Sequence, residues 1–199
     1  MFKIFKSSIL AGICIAMGGT VFMKVGDLWG AILFSFGLLT VVHYGLKLYT
    51  GTAGFFKPSE PVEWVELIFI IVGNAIGCIL FSVLVHQALP DLVPISQAIV
   101  EKRLSTGRLN CFLLAICCGF IMTTAVQFGR KNHFLPLLFG VPLFIMCGFT
   151  HSIADAFYFI NSATAETPIT GHLMSLWFGE ILGNFVGCNL YRMMYIKTN

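Results

Sequence analysis

Polar side chains are few in this chain, and chemistry is most plausible where they interrupt apolar sequence. In Gly148-Phe149-Thr150-His151-Ser152-Ile153-Ala154-Asp155 a histidine stands between two hydroxyl residues, shortly ahead of a carboxylate. An imidazole can donate a hydrogen bond to an anion or pass it a proton near physiological pH. A lone histidine in an apolar segment is most often a satisfied, neutral core residue. At membrane depth, however, ionisable residues are scarce and tend to mark pathways. His151 carries a second mark, because Gly148, Thr150 and Ser152 signal a helix break around it. A matching break falls in Leu48-Tyr49-Thr50-Gly51-Thr52-Ala53-Gly54-Phe55, where glycine and threonine stand in a segment that should run on as helix. Irregular backbone at that depth is tolerated only when buried in protein or lining a watery cavity.

Two further stretches repeat each other. Gly73-Asn74-Ala75-Ile76-Gly77-Cys78 and Gly183-Asn184-Phe185-Val186-Gly187-Cys188 both read G-N-x-x-G-C. Small residues four apart let helices pack closely, which accounts for the glycines. It accounts less well for Asn74 and Asn184, because an amide in lipid needs a partner. Lys47, Asp155 and Glu180 put one cation and two carboxyls among apolar neighbours, which is costly unless they are paired. Lys47 is expected either to pair with Glu180 or Asp155, or to snorkel to the interface. Of the other histidines, His43 lies one turn before the first break, and His86, His133 and His172 read as interfacial.

Other chemistries lack their signatures. The seven cysteines show no CxxC and no cysteine–histidine spacing suited to zinc, and read as small buried residues. There is no His-Glu-x-x-His, Asp-x-x-Asp or Gly-x-Ser-x-Gly. No enzyme activity, metal or cofactor is therefore expected, although a membrane-embedded enzyme and a non-transporting scaffold remain the readings from other classes. A scaffold would need neither repeats nor broken helices. A channel for water or a neutral solute is disfavoured because Asn-Pro-Ala is absent.

The elements that must position these residues follow from composition. Of 199 residues, 57% are hydrophobic and 11% charged, against about 25% charged in a typical soluble domain. The mean hydropathy is +0.88. A soluble globule could not cover its surface with so few charges, and a net charge of +3 is too small for a nucleic-acid binder. The chain reads as an all-α membrane protein with six transmembrane helices. The expected spans are Ile9 to Val25, Leu28 to Tyr49, Val62 to Ala88, Leu109 to Phe128, Phe134 to Ile160 and His172 to Tyr195. The first follows Lys3 and Lys6 but ends in no small-x-small site before a polar domain, so it is expected to be retained. Cytoplasmic termini put Lys3, Lys6, Lys47, Lys57, Arg130, Lys131, Arg192 and Lys197 inside. Lys24, Lys102, Arg103 and Arg108 then lie outside, which satisfies the positive-inside rule at eight against four. The two G-N-x-x-G-C segments are three spans apart, so the halves, roughly residues 1–100 and 101–199 of a single channel domain, would run in opposite senses. An inverted 3+3 repeat with broken second and fifth helices is typical of transporters and channels.

A family resemblance accompanies this pattern. Phe34-Ser35-Phe36-Gly37-Leu38, followed by Gly45-x-x-Leu48-Tyr49-Thr50-Gly51, resembles the second-helix motif of the formate/nitrite transporter family. Gly148-Phe149-Thr150-His151-Ser152-Ile153-Ala154-Asp155-Ala156-Phe157 resembles its fifth-helix motif, usually read G-F-E-H-S-I-A-N-x-F. Gly183-Asn184-x-x-Gly187 resembles the sixth-helix motif and Ser8-x-Leu10-Ala11-Gly12 the opening helix, so the match spans nearly the whole chain in order. The resemblance implies an aquaporin-like fold, a homopentamer in the plasma (inner) membrane, and one pore per protomer for small monovalent anions. It implies that Thr50 and His151 form a central polar pair with Thr150 beside it, and that Asn74 and Asn184 hold the broken loops by hydrogen bonds. Phe34, Leu38, Leu48, Tyr49 and Phe144 fall where the family places apolar constrictions, and Arg103 and Arg108 where it places a basic vestibule. Lys47 replaces an acidic residue of the family, Thr150 its glutamate, Asp155 its asparagine, and Gly119 falls near its fourth-helix asparagine. Glu180 adds a carboxyl where the family is usually apolar. The expected partners are membrane lipid and a weak-acid anion such as formate, with or without a proton. Nitrite, hydrosulfide and other short monocarboxylates are alternatives.

Overall fold

The computed structural model of the protein describes residues 1–194. Tyr195, the expected end of the sixth span, and Lys197, counted among the inside charges, lie outside the described residues. The described residues form helices and turns, with no strand among them. The helices are α1 (Phe2–Val25), α2 (Asp27–His43), α3 (Tyr49–Thr52), α4 (Pro61–Ala88), α5 (Val93–Thr106), α6 (Arg108–Arg130), α7 (Leu135–Met146), α8 (Ser152–Ser162), α9 (Gly171–Cys188) and α10 (Leu190–Met193), with a 3-10 turn at Pro90–Leu92. α1, α4 and α6 are long and apolar enough to cross a membrane, with mean hydropathies of 1.8, 2.6 and 2.1. α2 and α7 are apolar but shorter. At the helical rise of about 1.5 Å per residue, α7 extends only about 18 Å, short of a hydrocarbon core of about 30 Å.

Two interruptions are present and built alike, the second where expected and the first between His43 and Tyr49, ahead of the expected Leu48–Phe55 stretch, of which Tyr49–Thr52 is helical. α2 gives way at Gly45 and α7 at Gly148, each with positive φ (61° and 71°). In the first, Leu46 N–H donates to Val41 O and Gly45 N–H to Val42 O. In the second, Phe149 N–H donates to Phe144 O and Gly148 N–H to Ile145 O. This is the Schellman ending, for which glycine is suited because it lacks the Cβ that penalises left-handed backbone. In each break an extended residue, Leu48 or His151, stands directly ahead of a new helix. The restarts differ. α8 continues to Ser162, whereas α3 is a single turn, because Gly51, Gly54 and Pro58 follow it. The second span therefore ends as helix at His43 rather than Tyr49, and the fifth is two helices rather than one.

The repeated glycines set the packing. α1 packs on α4 and α6 on α9. A Cβ added at Gly12 would collide with the Asn74 carbonyl, and one at Gly119 with the Asn184 carbonyl. Gly77 lies as tightly against Ile9, and Gly187 against Ile116. The segment between α4 and α6, expected to be a loop, instead holds α5. Pro94 suits its first turn, Gly107 ends it, and it packs against α8. Its low overall hydropathy and weak amphipathic pattern leave little to mark it as a helix in the sequence.

Candidate functional site

The two breaks meet in the interior. Thr50 Oγ1 lies 2.9 Å from His151 Nε2, and both residues are buried. Hydrogen bonding sets the roles of the ring nitrogens. His151 caps α8, its Nδ1 accepting from Ala154 N–H at 3.1 Å. In a neutral ring the proton therefore sits on Nε2 and is donated to Thr50 Oγ1. A second proton on Nδ1 would face the Ala154 N–H and break the cap. With its oxygen accepting from His151, Thr50 keeps its own O–H to donate.

Two asparagines hold the breaks in position by equivalent bonds. Asn74 Nδ2 donates to Ser8 O at 2.8 Å and Lys47 O at 2.9 Å, and its Oδ1 accepts from Tyr49 N–H at 2.8 Å. Asn184 Nδ2 donates to Ala115 O at 2.9 Å and Thr150 O at 3.0 Å, and its Oδ1 accepts from Ser152 N–H at 2.9 Å. Each asparagine thus satisfies one N–H and one C=O freed by its break, Tyr49 N–H and Lys47 O in the first and Ser152 N–H and Thr150 O in the second. The neighbouring cysteines tie the halves crosswise. Cys78 Sγ donates to Ile153 O at 3.5 Å and Cys188 Sγ to Thr50 O at 3.4 Å.

Apolar side chains surround the pair. The Phe144 ring stacks on His151 with centroids 5.5 Å apart, and Phe34 meets Phe144 edge-on at 6.1 Å. Leu38, Leu48 and Tyr49 are fully buried in the same core. Tyr49 is fixed by its hydroxyl, which donates to Ile181 O at 2.9 Å. The Thr150 hydroxyl is occupied as well, donating to Cys111 O at 2.7 Å.

A cavity lies on either side of the pair. One, of about 130 Å³, reaches from Lys102 and Arg103 past Phe149 and Asp155 to His151. The other, of about 80 Å³, is lined by Lys47, Gly51, Val126 and Arg130. Arg108 does not join the first cavity and reaches Ser175 on the surface instead. The ionic partnership also differs from the expectation. Asp155 is taken by Arg103, through Nε at 2.8 Å and Nη2 at 3.2 Å, while Nη1 donates to Gly148 O at 3.1 Å. Lys47 therefore pairs with neither Asp155 nor Glu180. Its backbone bonds to Ser7 and Asn74, and its side chain lines the smaller cavity. The physical reason is α5, which brings Arg103 down onto the start of α8 from the opposite side to Lys47.

Arg130 is a residue the motifs did not single out. Its Nη2 donates to Gly51 O at 3.0 Å, and its guanidinium lies 3.8 Å from the Phe55 ring centroid. It thereby braces the Thr50 loop from the end of α6. Its place in the sequence marks only a helix end.

Comparison with known proteins agrees with this architecture. The chain is 26% identical to the uncharacterized transporter YwcJ of Bacillus subtilis, over 96% of this chain and 87% of that protein. It is 26% identical to the formate channel FocA of Escherichia coli, over 99% of this chain and 88% of that one. Among solved structures, a pentameric formate channel with formate bound superposes with a TM-score of 0.78 at 24% identity, covering 98% of each chain. An FNT family ion channel superposes with a TM-score of 0.83 at 18% identity, covering 98% of this chain and 90% of that one. The family model described as Formate/nitrite transporter matches residues 1–196, and the chain belongs to that family.

Proposed function

We infer that the protein conducts small monovalent weak-acid anions, formate among them, through a pore within each protomer. The observation that carries this reading is the buried Thr50–His151 pair, where two broken segments meet between two cation-lined cavities. An anion gathers at a mouth where lysine and arginine raise its local concentration. It must then shed water between Phe34 and Phe144 on one side and Leu38 and Leu48 on the other. A bare anion in such a neck is very costly, and apolar necks gate by dewetting. Thr50 O–H, left free because its oxygen accepts from His151 Nε2–H, is a donor placed where that cost peaks. A neutral His151 orients that hydroxyl toward the anion rather than protonating it, because its Nδ1 is already engaged by Ala154.

The topology proposed with this function is six spans in an inverted repeat of aquaporin type, with the second and fifth spans each crossing as two pieces. The matched bonds of Asn74 and Asn184 support it. A homopentamer in the inner membrane is proposed by analogy with the pentameric structural neighbour. Both termini then face the cytoplasm, which makes the Lys47–Arg130 cavity the inner mouth and the Arg103 cavity the outer one. The protein is proposed to be a passage rather than an enzyme.

The test is anion flux into proteoliposomes at two pH values, with formate first and a short-chain fatty acid beside it. Wild type is expected to conduct and His151→Ala to lose most of that flux. Absence of flux for any small weak acid in folded protein would sink the reading. Equal flux in both would keep the pore and remove His151 from its mechanism.

A further inference from the structure

Glu180 sits on α9 with its side chain wholly buried. No N–H or O–H among the described residues donates to either of its carboxyl oxygens. The group within hydrogen-bonding reach is the carboxyl of Asp155, itself 1% exposed. Two acceptors facing each other away from water repel unless something lies between them. The cation bonded to the pair is Arg103, and its Nε and Nη2 are both spent on Asp155. The other titratable groups around the pair are Cys111 and Cys118 on α6 and Tyr158 on α8, with Lys102 and His151 lining the same cavity as Asp155.

Charge counting then constrains the cluster. One guanidinium and two ionised carboxylates leave a net negative charge with no counter-ion, in a setting where an uncompensated charge is costly. One proton between the carboxyls makes the cluster neutral and supplies the missing donor. Paired acids that share a proton because both cannot ionise are a known arrangement. Asp155 and Arg103 line the cavity that leads to His151, so such a proton has a route to water.

We propose that Arg103, Asp155 and Glu180 form a proton-binding site, with one proton held between the two carboxyls and exchanged with solution through the Arg103 cavity. When the proton is bound the cluster is neutral, and Lys102 leaves that mouth attractive to anions. When the proton leaves to water the cluster becomes negative and cancels Lys102, so anion entry falls. Glu180 thereby sets the pH dependence of flux without touching the anion. The flux part rests on the anion-pathway reading, whereas the proton site does not.

The experiment has two arms on reconstituted protein. Infrared difference spectroscopy of wild type against Glu180→Gln is expected to show loss of a protonated carboxylic-acid carbonyl band near neutral pH. Formate flux in wild type is expected to fall several-fold more between acid and alkaline pH than it does in E180Q, which cannot become negative. Asp155→Asn is the second variant, should E180Q not fold. It leaves Glu180 to Arg103 as an ionised partner and is expected to lose the same band. An unchanged infrared band in the folded variants overturns the proton site. A lost band with an unchanged pH profile overturns its coupling to flux. A lost band with no flux in wild type supports the proton site and sinks the pathway reading alone.

Discussion

Replacing Asn184 with alanine removes three hydrogen bonds at once. Ser152 N–H and Thr150 O have no other partner among the described residues, and Ala115 O loses a second donor. A buried backbone group left unpaired costs about 1–3 kcal/mol. Two such groups, together with the small cavity left by the side chain, give an expected loss of about 3–6 kcal/mol. Asn74→Ala should cost the same to within about 1 kcal/mol, because it strips an equivalent set from Tyr49, Lys47 and Ser8. Asn184→Asp should be no milder. It keeps an acceptor for Ser152 but turns an oxygen toward two carbonyls. The assay is reversible unfolding of detergent-solubilised protein by denaturant titration, with helicity followed by circular dichroism. A loss below about 1 kcal/mol for Asn184→Ala would refute the claim that these amides hold the breaks closed. Strongly unequal losses for the two asparagines would refute the equivalence of the breaks.

Three further outcomes follow from the site. Thr50→Val preserves shape but leaves His151 Nε2–H without its acceptor. Formate flux should fall about 10- to 100-fold, the equivalent of one hydrogen bond to a charged group, and Thr50→Ser should restore most of it. Lys47→Gln should reduce flux at low ionic strength much more than at high, because salt already screens an exposed mouth charge; equal loss at both would point to a packing role. Gly187→Ala should disrupt the α6–α9 contact, since the new Cβ meets the Ile116 backbone rather than a movable side chain. A melting temperature unchanged from wild type would contradict that contact.

How far the sequence reached depends on the range of the forces involved. Hydropathy marks α1, α4 and α6, because exposure to lipid selects apolar residues one position at a time. The break at Gly148 was legible because a left-handed residue before an extended one is a local requirement that glycine meets best, whereas the first break was expected a few residues late, in Leu48–Phe55, and turns instead at Gly45. The repeated asparagines stood out because an amide in an apolar helix demands a partner, although their acceptors could not be read from neighbours in the chain. What only the tertiary structure decided lies between distant segments. Thr50 and His151 are 101 residues apart in sequence, and their contact depends on both breaks reaching one depth. Lys47 and Arg103 were equally available to Asp155 by charge. The choice fell to Arg103, 52 residues away, because α5 folds back over α8. A charge pattern names the candidates for an ion pair, and the packing of helices decides which of them comes within reach.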